Sequence, residues 1–260
     1  MKTRLAITVS LAFLASWAPS AQTGAPRPPS PARALVDELV LANRILANEG
    51  VLDAYGHVSV RSDRNAAHYF LARAVAAGLV TAADVIEYDL DSNPVVASDA
   101  TGFTERFIHG EIYRTRPDVQ AIVHTHAPEL VPFSASTVPL RPISHMAGFL
   151  GEGVPKFEIR EAAGATDMLI RNPELGRALA KTLSDKPAAL LRGHGAVVVA
   201  PSLHVVVGRG YYMALNARLQ EQAILLGGQV TYLEPEEARK TASQDGFERA
   251  WTYWKRRAAK

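Results

Sequence analysis

The segment AIVHTHAPE, residues 121–129, places two histidines one residue apart at the end of an apolar run. The apolar run predicts a buried strand, and in a strand residues i and i+2 point to the same face. The side chains of His124 and His126 are therefore expected to lie side by side, with Thr125 facing away. Two imidazoles presented in this way can ligate one divalent metal ion. The alternative interpretation is a pair of polar residues at a strand end that faces water.

Two further features strengthen the metal-site interpretation. His194 stands between two glycines in LLRGHGAVVVA, which predicts two short strands around a turn whose glycines let the backbone aim the imidazole into a pocket. Glu105 and His109 lie four residues apart on one face of a predicted helix over 104–119, for which Thr104 is the expected N-cap. A short turn joins this helix to the strand with the histidine pair, so its carboxylate can reach the same site. Three neutral imidazoles with one open position are typical of a catalytic zinc site.

The composition limits the class of protein. The chain has 260 residues, of which 48% are hydrophobic and 21% charged, as in an ordinary soluble globular domain. The net charge is +2, and the first long basic run is Lys255–Arg257, so a nucleic-acid partner is not expected. There is no cysteine, which excludes a disulfide framework, a thiolate metal site and a thiol nucleophile.

The N-terminal residues have the pattern of a secretory signal. Lys2 and Arg4 precede the apolar stretch LAITVSLAFLASWA, which is followed by the small residues of PSAQ. This pattern predicts a signal peptide over 1–21 and a periplasmic or secreted protein, with no membrane association once the signal is removed. The prolines of the next segment do not fit inside a helix and predict a linker over 22–31. Residues 32–260 are then expected to form one domain with a C-terminal helical extension.

Helices and strands alternate along this domain. Apolar residues at helical spacing run from Ala32 to Gly50, strands are predicted at 56–62 and from His68, and a long helix is predicted over 202–228. Short strands mixed with helices favour one layered α/β domain.

Several of these segments resemble a known family. The segments GHVSVR, ERFIHGEIYRTRPDVQAIVHTHAPE and LLRGHGAVVVA follow one another as in the class II aldolase/adducin family, from about residue 32 to about residue 228. The resemblance implies a three-layer αβα sandwich around a central, mainly antiparallel sheet. It also implies a divalent metal, first of all Zn2+ with Mn2+, Co2+ or Fe2+ as alternatives, bound by His124, His126 and His194. Glu105 would be the acid/base residue, and His109 would lie behind the metal ligands.

The chain departs from the sugar-phosphate aldolases of this family. Those enzymes have Gly-Asn where this chain has Gly56 and His57, and they hold the phosphate with a Ser-Ser pair where this chain has Phe103 and Thr104. A phenylalanine cannot donate a hydrogen bond to a phosphate dianion. The segments EGVLDAYGHVSVR, RPISHMAGFLGEGVP and LLRGHGAVVV are instead similar to the decarboxylase branch of the family. Its members act on 2-hydroxy-3-carboxymuconic semialdehyde or on dihydroxyphthalate-type acids.

This resemblance implies a mechanism and a set of substrate residues. Decarboxylation beside a carbonyl or enol and retro-aldol cleavage both leave an enolate, which a metal stabilises as a Lewis acid. His145 stands where the aldolases carry a tyrosine donated by a neighbouring subunit, so it is the expected proton donor, and a homotetramer is implied. The candidates for binding a small-molecule substrate are His57, Ser59, Arg61 and Arg73, the two arginines as carboxylate clamps. The alternative for these residues is an ordinary structural role.

Three functions remain open. The first is a metal-dependent decarboxylase that acts on a small carboxylated hydroxy-aromatic compound or on an enol or semialdehyde acid. The second is an aldolase or dehydratase that acts on a small hydroxy-carbonyl compound. The third is a non-catalytic, adducin-like assembly module, which is disfavoured because adducin-type heads lack the metal histidines that this chain retains.

Overall fold

The computed structural model of the protein describes residues 31–243 and 246–258. The predicted signal peptide (1–21) lies outside the described residues, and so does the predicted linker (22–31) apart from Pro31, which begins the first helix. Within the two described ranges, no helix has both the length and the apolar character needed to cross a bilayer.

The strands of the described residues form one seven-stranded sheet in the order β3-β2-β1-β4-β7-β6-β5. Neighbouring strands are antiparallel except for β5 and β6, which are parallel. The prediction of an α/β fold with a central, mainly antiparallel sheet is confirmed. The strand bounds are β1 His57–Arg61, β2 His68–Ala72, β3 Val85–Asp89, β4 Ala121–Thr125, β5 Lys156–Phe157, β6 Ala188–Leu191 and β7 Gly195–Ala200.

Helices cover both faces of this sheet. Their bounds are α1 Pro31–Asn48, α2 Arg106–Thr115, α3 Val131–Ala135, α4 Ile159–Ala163, α5 Pro173–Leu183, α6 Leu203–Leu225, α7 Pro235–Ala242 and α8 Glu248–Ala258. Side-chain caps fix where α5 and α6 begin: Asn172 accepts a hydrogen bond from the backbone N–H of Leu175, and Ser202 accepts one from that of Val205. These caps satisfy N–H groups that a helix leaves without a partner at its first turn.

The sheet separates two hydrophobic cores. One core joins it to α1, α6 and α8 and includes Val58 and Val123. The other joins it to α2 and α5 and includes Ile122. Because side chains alternate along a strand, His57 and His124 point away from Val58 and Val123, toward the layer that contains α2. The polar end of this second layer holds the candidate site.

The start of α2 differs from the sequence-based expectation. The helix begins at Arg106, and Glu105 occupies the N-cap position without any side-chain capping hydrogen bond. The prediction that Thr104 caps this helix is therefore wrong. The Glu105 side chain is instead directed toward the ends of β4 and β7, where it meets the histidines.

Candidate metal centre and adjoining cavity

Four side chains converge where β4 ends, β7 begins and α2 begins. Glu105, His124, His126 and His194 each offer one ligand atom, and these atoms all lie within 4.8 Å of one another. The Nε2 atom of His126 lies 3.0 Å from the Nε2 atoms of both His124 and His194. One oxygen of Glu105, Oε2, lies 3.3 Å from Nε2 of His124 and 3.4 Å from Nε2 of His194. The structure thus brings together the four residues that the sequence analysis selected.

The Gly-His-Gly turn between β6 and β7 explains how His194 reaches the other two histidines. Gly193 has a φ of +62°, in the left-handed region that residues with a Cβ rarely adopt. A Cβ atom at Gly195 would collide with the backbone carbonyl oxygen of Thr125. The two glycines therefore permit both the tight turn and the close approach of β7 to the end of β4.

Backbone carbonyls fix the orientation of two of the imidazoles. Nδ1 of His124 lies 3.2 Å from the carbonyl oxygen of Ala196, and Nδ1 of His194 lies 3.1 Å from that of Met168. A carbonyl oxygen can only accept a hydrogen bond, so each Nδ1 carries the proton. Each neutral ring then presents the lone pair of Nε2 to the centre of the cluster. This arrangement is typical of histidines that bind a metal.

Asp53 plays the same part for the third imidazole. Its carboxylate oxygens lie 3.1 and 3.2 Å from Nδ1 of His126. The carboxylate also accepts hydrogen bonds from the backbone N–H groups of Tyr55 and Gly56. These contacts outweigh partial burial and lower the pKa of Asp53, which keeps it ionised. Asp53 could not be predicted from a local pattern, because its partner lies 73 residues along the chain.

The donor set fits a divalent transition metal. Lone pairs on nitrogen atoms that face each other at 3.0 Å repel unless a proton or a cation lies between them. Zinc–nitrogen distances of about 2.0–2.1 Å in a tetrahedral site place neighbouring ligand atoms about 3.3 Å apart, close to the spacing found here. Imidazole nitrogens suit zinc, copper, iron or nickel rather than calcium or magnesium, which prefer oxygen. His124, His126 and His194 would hold the ion, and Glu105 would lie beside it.

Glu105 is fixed at one oxygen and presented at the other. Oε1 accepts a hydrogen bond of 2.9 Å from the backbone N–H of Ile170, while Oε2 faces the histidines. Burial would raise the pKa of this carboxyl group, but His124 and His194 outweigh burial and hold the pKa far below its usual value. The same contact raises the pKa of His194, against the effect of burial. The Glu105 carboxyl group therefore stays ionised beside the imidazoles.

A cavity of about 540 Å³ adjoins the cluster and is large enough for a single substituted ring. The ring of Phe103 packs against that of His57, with 4.3 Å between their centroids, and both residues line the cavity. None of the described lining residues is a lysine or an arginine. The other lining residues are Ala54, Tyr55, Ala74, Val75, Ala76, Thr101, Gly102, Thr104, Glu105, His126 and Leu169.

His57 lies where the sequence analysis placed it, but Ser59 does not. Nδ1 of His57 lies 2.8 Å from Nε2 of His109, and Nδ1 of His109 lies 2.6 Å from the hydroxyl of Ser59. That hydroxyl is fully buried and also lies 2.8 Å from the hydroxyl of Tyr113. The expectation that Ser59 binds substrate is wrong, because α2 covers this part of β1. His109 lies behind His57, and burial lowers its pKa to about 3.

The expectation that Arg61 clamps a substrate carboxylate is also wrong. The side chain is buried, and its guanidinium group donates hydrogen bonds to four backbone carbonyls. Those carbonyls belong to Ala66, Tyr113, Arg116 and Val119. Arg61 therefore ties β1 to the end of α2 and to the turn that leads into β4, and it has a structural role.

Arg73 is likewise separate from the cluster. Its Nε atom lies 2.6 Å from a carboxylate oxygen of Asp84, and both residues line a different surface cavity. The structure therefore does not support Arg73 as a carboxylate clamp beside the metal ligands.

His145 also lies apart from the cluster within one chain. It begins a short 3-10 helix, His145–Leu150, and is exposed. It lines a cavity bordered by Tyr212 and Phe247, which is not the cavity beside the metal ligands. The structure therefore does not place His145 beside the metal ligands of its own chain.

Comparison with known proteins agrees with this architecture. The profile of the Class II Aldolase and Adducin N-terminal domain matches residues 37–221. The chain is 36% identical to decarboxylase tropJ of Talaromyces stipitatus over 87% of this chain and 94% of that protein. It is 30% identical to 3,4-dihydroxyphthalate decarboxylase of Arthrobacter keyseri over 94% of this chain and 97% of that protein.

A solved structure shares the fold. The aldolase II superfamily protein from Pseudomonas syringae superposes with a TM-score of 0.73 at 23% identity, over 88% of this chain and 94% of that one. Together, the matched profile, the two decarboxylase relatives and the shared fold show that this chain belongs to the class II aldolase/adducin family.

Proposed function

We propose that this protein is a divalent-metal-dependent lyase that removes the carboxylate, as CO2, from a small unphosphorylated hydroxy-aromatic or enol acid. The observation that carries the proposal is the convergence of three imidazole Nε2 atoms and one buried carboxylate at the wall of a ring-sized cavity. The names of the two relatives favour decarboxylation over the other reactions of the family. An aldolase or dehydratase acting on a small hydroxy-carbonyl compound is the alternative.

Zinc is the proposed ion, with Mn2+, Co2+ or Fe2+ as alternatives. When bound, such an ion withdraws electron density from a substrate oxygen as a Lewis acid. The protein's own contribution is to hold the ligands with Nδ1 hydrogen bonds and to keep Glu105 ionised beside the cavity. In the proposed reaction the carbon–carbon bond to the carboxylate breaks, and its electron pair stays on the substrate. CO2 leaves, and a proton is then added to the same carbon.

The wall of the cavity supports an unphosphorylated substrate. Phosphate sites in proteins rely on arginine, lysine and clustered N–H or hydroxyl donors. The described lining residues include neither arginine nor lysine, and Phe103 occupies one of the two positions where the aldolases carry serine. The carboxylate and hydroxyl groups of an aromatic or enol acid carry less negative charge than a phosphate dianion and need fewer such donors.

The test measures CO2 release from a panel of carboxylated catechols and muconic semialdehydes, and the release of carbonyl fragments from a panel of sugar phosphates. We expect zinc-loaded protein to release CO2 from at least one acid, chelation to stop the release, and added zinc to restore it. His68→Gln is the control. His68 on β2 pairs with Glu87 on β3, away from the cluster. Faster cleavage of a sugar phosphate than of any acid would contradict the decarboxylase proposal and favour the aldolase.

We also propose that the protein is a homotetramer and that His145 donates the final proton to a site on the neighbouring subunit. The support is the exposure of His145 in a cavity separate from its own chain's cluster. His145→Gln and His194→Ala should each be inactive alone. Mixed and reassembled tetramers should recover part of the activity, because some sites then combine an intact cluster with an intact His145. A fully active monomer, or no recovery in hybrids that contain both chains, would contradict this proposal.

A periplasmic or secreted location is the last part of the proposal, and it rests on the pattern of residues 1–21. N-terminal sequencing of the native protein should find a new N-terminus near Ala21. An intact Met1 in the cytosolic fraction would contradict it.

A further inference from the structure

A continuous chain of hydrogen bonds runs from the cavity into the second core. It begins at His57, which lines the cavity, and passes through His109 and Ser59 to Tyr113. The successive distances between donor and acceptor atoms are 2.8, 2.6 and 2.8 Å. The four residues are at most 2% exposed, so water does not compete for these bonds.

Every polar atom inside this chain has a partner, and one atom at its end does not. Either of two proton orders satisfies the chain: all donors point toward Tyr113, or all point toward His57. Both orders use Nδ1 of His57 to bind His109. Nε2 of His57 has no hydrogen-bond partner among the described residues.

The position of His57 relates this free nitrogen to the metal centre. His57 pairs with His124 in the register of β1 and β4, and their ring centroids are 5.3 Å apart. Phe103 packs on the ring of His57 and restricts its rotation. A flat ligand with one oxygen at the cluster would therefore bring an oxygen on the next ring carbon toward His57.

We propose that Nε2 of His57 forms a hydrogen bond with a ring hydroxyl adjacent to the substrate oxygen held at the His/Glu cluster. His109, Ser59 and Tyr113 are positioning residues that hold His57 for this bond. The site then selects aromatic acids with two neighbouring oxygens, in the manner of a catechol. This inference rests on the proposed function and adds a residue that determines specificity. A hydroxyl group suits either proton order, because it can donate to a bare Nε2 or accept from a protonated one.

The first test measures binding of catechol and 2-methoxyphenol to zinc-loaded protein by calorimetry. Methylation removes the hydroxyl proton and adds bulk at the proposed contact. The preference for catechol should fall about three- to tenfold in His57→Phe, which keeps a flat ring against Phe103 but lacks the nitrogen. Chelation of the metal by both catechol oxygens would give a preference that does not depend on His57. An unchanged preference in His57→Phe, or no binding of either ligand, would overturn the proposal.

The second test leaves His57 in place and removes hydroxyl groups at the far end of the hydrogen-bond chain. In Tyr113→Phe and Ser59→Ala, ¹⁵N NMR should show a changed ratio of the two tautomers of the His57 ring, because the two proton orders no longer have the same partners. The preference for catechol should fall at least twofold. Tyr69→Phe is the matched control. Tyr69 is a buried neighbour of Tyr113, with 5.4 Å between their ring centroids, but its hydroxyl binds Ser92 outside the chain. An unchanged tautomer ratio of His57 in both Tyr113→Phe and Ser59→Ala, or an equal change in Tyr69→Phe, would overturn the positioning role.

The binding test separates this inference from the proposed reaction. Catechol preference that depends on His57, without CO2 release from any acid, would contradict the decarboxylase and leave the His57 contact standing. CO2 release together with a catechol preference that is unchanged in His57→Phe would support the proposed decarboxylase activity and overturn the proposed His57 contact.

Discussion

Replacement of Glu105 by glutamine is expected to lower turnover by about 10²- to 10⁴-fold, the usual span for a positioned acid/base residue. Glutamine keeps the size of the side chain and a carbonyl oxygen that can accept from the backbone N–H of Ile170. It removes the negative charge that faces the cluster and the capacity to hold a proton. The zinc content of the purified variant should stay near one ion per chain, because three imidazoles remain. Turnover and metal content measured on the same sample check both expectations.

Glu111→Gln is the matched control for this experiment. Glu111 is also a buried glutamate of α2, but it lies near Arg114 and Arg177 rather than the histidines. Its replacement should leave turnover unchanged. Normal turnover in Glu105→Gln would leave Glu105 with only a structural role, and loss of zinc from that variant would make it a metal ligand before anything else.

Removal of one imidazole should weaken metal binding sharply and abolish activity. In His194→Ala the affinity for zinc is expected to fall by more than about 100-fold, since loss of an outer partner of a ligand alone typically costs 10- to 100-fold. Asp53→Asn, which weakens the partner of His126, should fall within that smaller range. Competition with a chromogenic chelator measures both affinities. His204→Ala is the control, because His204 contacts the hydroxyl of Ser202 and lies outside the cluster.

The three variants should differ in how much zinc affinity they lose. We expect the loss of affinity to be greatest for His194→Ala, smaller for Asp53→Asn and absent for His204→Ala. An unchanged affinity in His194→Ala would contradict the cluster as the metal site. An equal loss in all three variants would indicate general unfolding.

The strands and turns around the candidate site could be predicted from the sequence because their signals are local. The apolar run before His124 predicts β4, and the two glycines around His194 predict the turn between β6 and β7, where the structure has them. The family resemblance then supplied the three-layer arrangement that joins these segments. Local pattern and resemblance were sufficient to select all four residues of the cluster.

The substrate residues could not be predicted in the same way. Whether a side chain on one face of a strand reaches a cavity depends on which other element covers that face. The period of two correctly places His57, Ser59 and Arg61 on one face of β1. Only His57 reaches the cavity, since α2 covers the other two positions. The position of that helix over the strand is set by packing between distant segments.

Asp53 and Thr104 show two other reasons for error. The contact between Asp53 and His126 joins residues far apart in sequence, and no local motif marks it. Thr104 has the right side chain to cap a helix, but the helix begins one residue later than such a cap requires, after Glu105. The Glu105 carboxylate faces the histidines instead of the first turn of the helix. The local preference of threonine for the N-cap position is thus not realised, and the carboxylate of the N-cap residue contributes to the site instead.

Anomalous X-ray diffraction at the zinc absorption edge, from crystals of the purified protein, tests the central claim most directly. We expect a single strong peak bounded by the Nε2 atoms of His124, His126 and His194, with zinc–nitrogen distances of about 2.0–2.1 Å. The peak should vanish in His194→Ala crystals and persist in Glu105→Gln crystals. A protein that binds zinc elsewhere, or whose three imidazoles stay without metal when zinc is in excess, would contradict it.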